Sequence, residues 1–163
     1  MYKRNIEMGE NFTGVKNQKL TRLAAVVVVL SAAVVAVALA ADLALVQPRE
    51  LAAQLAAKGA SPAVFMVGPN VLYRSKHITG SVYAGPGQAE AGLAMLQTEA
   101  GKLPRDREVV VYCGCCPWDR CPNVKPAMDL LKRMGFAKAK ALYLETGFKA
   151  DWLDKGYAAE AGR

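Results

Sequence analysis

The segment Glu108-Val109-Val110-Val111-Tyr112-Cys113-Gly114-Cys115-Cys116-Pro117-Trp118-Asp119-Arg120-Cys121 changes character in its middle. Its first part is β-branched and aromatic, the composition of a buried strand. Its second part holds glycine, proline and all four cysteines of the chain, the composition of a loop. Val124 to Met134 then carries helical spacing and stops at Gly135. A strand therefore runs through a cysteine loop into a helix.

The same alternation extends outward. Pro48 to Gly59 suits a short helix, with proline at its start and glycine at its stop. Ala63 to Val67 reads as a buried strand ended by Gly68-Pro69, and Ser81 to Tyr83 as a weaker one before the loop Ala84 to Gly87. Gln88 to Leu103 has helical spacing at Leu93, Met95 and Leu96, with Pro104 beyond its end. Ala139 to Leu144 is a further strand, and Phe148 to Lys155 a last helical turn or two. Strands separated by helices predict an α/β fold with a small, mostly parallel central sheet flanked by helices.

The 163 residues allow one domain with a real core. The 53% apolar content is inflated by one run, Leu23 to Ala41, in which only Ser31 is polar. Without it the apolar share is roughly 47%, ordinary for a globular domain. Lys16, Lys19 and Arg22 precede the run, and Ala38-Leu39-Ala40 end it with small residues suited to signal peptidase. Residues 1–40 thus read as a signal peptide cut after Ala40, or as an uncleaved N-terminal membrane anchor, since about 20 apolar residues span a bilayer. Both place the domain, residues 45–160, outside the inner membrane, periplasmic or anchored facing the periplasm, with membrane contact only through the N-terminal segment. Of the net +7, Met1 to Arg22 holds five basic against two acidic residues. The remainder is too mild for a nucleic-acid partner.

In a parallel α/β sheet, ligands bind beyond the carboxyl ends of the strands, where the cysteine loop falls. The following helix turns its free N–H groups and positive dipole end toward that loop. Such surroundings lower a thiol's pKa and favour the nucleophilic thiolate. Arg120 and Lys125 add positive charge. The loop suits a cysteine nucleophile acting on a small anion.

Residues Pro48 to Tyr157 resemble a rhodanese-like (sulfurtransferase) domain. The resemblance lies in Lys76-His77-Ile78-Thr79-Gly80-Ser81, in Val110-Val111-Tyr112-Cys113 at the end of the central strand, in Leu130 to Phe136, and in Leu144 to Trp152 with Gly156-Tyr157. It implies transfer of a sulfane sulfur: the loop cysteine attacks a donor such as thiosulfate, becomes a persulfide cradled by loop N–H groups, and passes the outer sulfur to a thiophilic acceptor. Cys113 carries the nucleophile by its place at the strand end. Arg120 lies five residues after Cys115, the spacing often seen in the family, so Cys115 and the adjacent Cys116 stay candidates. Gly114, Trp118 and Lys125 are the expected substrate-binding residues, and His77 braces its loop through backbone hydrogen bonds. The chain departs from the family in lacking an acidic residue at Val67-Gly68 and the Arg-rich turn after it. Its active loop is also longer and stiffened by Pro117, Pro122 and Pro126.

Other readings attach to the same cysteines. A disulfide from Cys113 or Cys116 to Cys121 would close a short structural loop. A non-catalytic thiol/disulfide redox or binding module, served by a redox partner, would use neighbouring cysteines as resolving thiols. Four thiolates suit zinc or copper(I), but adjacent Cys115 and Cys116 and a loop without histidine argue against a metal. No cofactor is expected.

Overall fold

The computed structural model describes residues 43–162. The segment read above as signal peptide or anchor, residues 1–40, lies outside the described residues. Among the described residues no helix is long and apolar enough to cross a membrane.

Five strands form the main sheet: β1 (Leu45–Val46), β2 (Ala63–Met66), β4 (Val82–Tyr83), β5 (Val109–Tyr112) and β6 (Ala139–Leu142). Their spatial order is β1-β6-β5-β2-β4, and every neighbouring pair is parallel. The expected mostly parallel sheet is therefore present, with β5 at its centre. Four helices connect the strands: α1 (Pro48–Ala56), α2 (Asn70–Ser75), α3 (Glu90–Gly101) and α4 (Val124–Arg133).

Alternation along β5 divides the core into two layers. Val109, Val111 and Cys113 face one side, packing with Phe65, Val67, Leu96, Ala127 and Leu131, so α3 and α4 cover that face. Val110 and Tyr112 face the other side, with Leu51 of α1, Ile78, Phe148 and Trp152. Both faces are buried, which is why β5 reads as a continuous apolar run.

Three features differ from the sequence expectations. The α3 stripe facing the core is Gly92, Leu96 and Ala100, and Met95 is exposed. Small residues are needed there because the 85–87 loop lies against the helix; a Cβ on Gly92 would collide with the Pro86 backbone. The last helical segment is a wide turn, Lys149–Leu153, with Asp154 N–H donating to the carbonyl five residues back, Lys149 O, at 2.8 Å. A two-stranded antiparallel ribbon, β3 (His77–Ile78) with β7 (Ala159–Glu160), was not expected.

Candidate functional site at the end of the central strand

The backbone carries Cys113 to a defined place. Val67 N–H donates to Tyr112 O at 2.8 Å, extending the β2–β5 pairing one step past the strand. Tyr112 is anchored on the opposite face: its hydroxyl accepts from Ile78 N–H at 3.0 Å and lies 3.2 Å from Ser81 Oγ. Burial pushes the Tyr112 hydroxyl up to about 12, so it stays protonated. The Lys76–Ser81 motif thus fixes the residue preceding Cys113. His77 lies within that motif: buried, it stacks on Tyr73 at 3.9 Å, places Nδ1 2.8 Å from Tyr73 O and Nε2 3.3 Å from Glu160 Oε1.

Past Cys113 the chain forms a tight cluster of sulfurs. Cys113 Sγ lies 3.1 Å from Cys115 Sγ, which lies 3.0 Å from Cys116 Sγ. Cys113 is 3% exposed, Cys115 is exposed and Cys116 half-buried. All four cysteines are free thiols, so neither structural disulfide considered above is formed here. Gly114 brings the loop close to the core; a Cβ there would stand 3.3 Å from Met66 Cε and 3.5 Å from Phe148 Cβ. Trp118 holds the far side, its N–H donating to Leu144 O at 2.9 Å and its ring 5.4 Å from Tyr143.

The electrostatics correct one expectation. The lowered thiol is Cys121, held down to about 5 by the donated Cys113 thiol and by the N–H groups of Asn123 and Val124. Cys113 is shifted upward by the neighbouring Cys121 and by burial. Cys116 is pushed up to about 12 by burial and by its hydrogen bonds to Cys115 and Cys121. The helix-start N–H groups reach the cysteine nearest α4, and that is Cys121 rather than Cys113.

Arg120 and Lys125 do not join this cluster through an ion pair or hydrogen bond among the described residues. Arg120 is 76% exposed beside Asp119 at 4.0 Å, and Lys125 pairs with Asp129 at 2.9 Å. The polar group that reaches the sulfurs is Asn123, which the sequence reading passed over. Its Nδ2 donates to Cys113 Sγ at 3.4 Å and to Cys115 Sγ at 3.7 Å, while Oδ1 accepts from Gln88 N–H at 3.1 Å. An Asn just before a helix reads as an N-cap, yet its side chain makes no cap bond. Gly68 was also passed over as a site residue. A Cβ there would stand 3.1 Å from Cys113 Sγ, so its missing side chain leaves room beside that sulfur.

No family model matches the chain, and no curated protein matches it. Solved structures do. The rhodanese-like domain of the Alr3790 protein from Anabaena sp. superposes with a TM-score of 0.53 at 22% identity, covering 71% of this chain and 77% of that one. The fold is rhodanese-like. The single-domain sulfurtransferase RDL2 of Saccharomyces cerevisiae gives a TM-score of 0.53 at 15% identity, over 72% of this chain and 94% of its own. The BH2092 protein from Bacillus halodurans gives 0.57 at 18%, over 72% and 77%. At these identities the rhodanese-like likeness is one of fold.

Proposed function

We propose that residues 45–160 form a rhodanese-like sulfurtransferase domain that carries a sulfane sulfur on Cys113. The observation that carries the reading is the position of Cys113: its sulfur sits at the end of the central strand, packed close to Gly68 and hydrogen-bonded to Asn123. A small anionic donor such as thiosulfate supplies the sulfur. Cys113 gives up its thiol proton to solvent, its Sγ attacks the outer sulfur, the S–S bond of the donor breaks, and sulfite leaves. The Cys113 persulfide anion is met by Asn123 Nδ2, which already donates to this sulfur. A thiophilic acceptor then takes the outer sulfur and restores the Cys113 thiolate, which takes up a proton from solvent.

The test is intact mass of the reduced full chain after incubation with thiosulfate. One added sulfur atom is expected in the wild type and none in Cys113→Ser. An adduct that survives in Cys113→Ser, or no adduct on the wild type, refutes the assignment. The same reading places the domain outside the inner membrane by way of Leu23 to Ala41; a mature chain beginning at Ala41 is the signature of cleavage, and an intact chain in the membrane fraction that of an anchor.

A second reading, a thiol/disulfide module served by a redox partner, is favoured by the thiol contacts at 3.1 and 3.0 Å. It expects loss of two hydrogens on mild oxidation and no sulfur uptake from thiosulfate.

A further inference from the structure

The spacing of adjacent cysteines argued against a metal, but the folded loop gathers them in a way the linear spacing conceals. We propose that Cys113, Cys115 and Cys116 form a three-sulfur site for a soft monovalent cation, copper(I). Their Sγ atoms all lie within 4.8 Å of one another. Three thiolates about 2.3 Å from a shared ion stand ~4.0 Å apart when the ion lies in their plane. The contacts of 3.1 and 3.0 Å therefore need to open by only about 1 Å, which rotation of the thiol side chains supplies.

The chemistry of the donor set selects the ion. It is all sulfur, and all-thiolate, low-coordinate sites suit copper(I), whereas zinc takes four ligands. Among the described residues neither a His nitrogen nor a carboxylate oxygen is gathered with the sulfurs: His77 is engaged with Tyr73 and Glu160, and Asp119 lies beside Arg120. Cys121 is not part of the mutually close set. Entry is open because Cys115 is exposed, while Cys113 anchors the site from within the core. Asn123 Nδ2, within reach of two of the three sulfurs, is an outer donor that disperses thiolate charge. Binding exchanges thiol protons for the ion and involves no change of oxidation state.

The site shares Cys113 with the proposed sulfur carrier, yet its test is independent of sulfur transfer. The reduced full chain is titrated without oxygen into the coloured copper(I)–bicinchoninate complex. One copper(I) per chain is expected to leave the chelator. Cys115→Ser and Cys116→Ser, both at accessible positions, are each expected to weaken retention on the order of 100-fold, and Cys121→Ser to stay within roughly 3-fold. X-ray absorption of the loaded chain is expected to show three sulfur neighbours. No transfer from the chelator, wild-type retention in Cys116→Ser, loss in Cys121→Ser, or preference for zinc over copper(I) would each overturn the proposal. If sulfur uptake from thiosulfate fails but the copper titration holds, only the sulfurtransferase reading falls. If both hold, loaded protein takes up no sulfur until a copper(I) chelator is added.

Discussion

Replacing Asn123 by Asp isolates what the amide does for the sulfurs. The change keeps an oxygen for Gln88 N–H, 3.1 Å from Oδ1, and keeps the side-chain shape. It exchanges the amide donor, 3.4 Å from Cys113 Sγ, for a carboxylate oxygen. Two like charges at that separation repel by about 5 kcal/mol at an effective dielectric of about 20. Part of this is relieved if the carboxyl takes a proton, so persulfide formation from thiosulfate at neutral pH is expected to slow by at least ~100-fold, close to 3 kcal/mol of barrier. Asn123→Ala loses the donor, worth roughly 1.5–3 kcal/mol when its partner is charged, or about 10- to 100-fold, together with the acceptor of Gln88 N–H. The assay is a time course of intact mass on the wild type and both variants, with circular dichroism to verify folding. The expected order of rates is wild type, Ala, Asp, with the rate–pH profile of the Asp variant displaced to alkaline pH by ~1 unit or more. An Asp variant as fast as the wild type, or faster than the Ala variant, refutes the claim that Asn123 stabilises negative charge on sulfur.

Three further outcomes follow from the geometry. Iodoacetamide at neutral pH is expected to alkylate Cys121 first, and its rate to fall on acidification with a midpoint near about 5, since a lowered thiol stays thiolate until pH drops through that value; peptide mapping across a pH series checks it, and a midpoint of about 8–9 rejects it. Gly68→Ala puts a methyl 3.1 Å from Cys113 Sγ; the fold is expected to survive at a cost of about 1–3 kcal/mol while persulfide formation drops at least ~10-fold, and an unchanged rate would show that the added sulfur occupies another space. Tyr112→Phe strips the buried Ile78 N–H of its acceptor; a loss of about 1–3 kcal/mol, roughly 5–15 °C in Tm, is expected by scanning calorimetry, and no shift would mean that the hydroxyl does not anchor the strand.

The sequence made the framework legible wherever an element is long and uniform. β5 is apolar because both of its faces are covered, and α4 starts and stops where Val124 and Gly135 mark it. β1, β3 and β7 have two residues each, too short for any period to register. Within the site, Cys113 was legible from its place at the strand end. Cys121 was visible as a cysteine but not as the thiol held low, although it is the one closest to the helix whose N–H groups were already invoked. Asn123 and Gly68 act by distance alone, one by what it reaches and one by what it leaves open. Arg120 and Lys125 drew attention by charge, and the fold turns that charge to solvent.

Gly87 packs so tightly that a Cβ on it would collide with the Asn123 carbonyl, while Asn123 Oδ1 holds the neighbouring Gln88 N–H. The 85–88 turn and the 113–123 loop are thereby joined like the two halves of a clasp. Grafting this cysteine loop onto another scaffold would need the glycine turn carried with it. By the same constraint, lineages that vary the loop for a new substrate are expected to change both segments together.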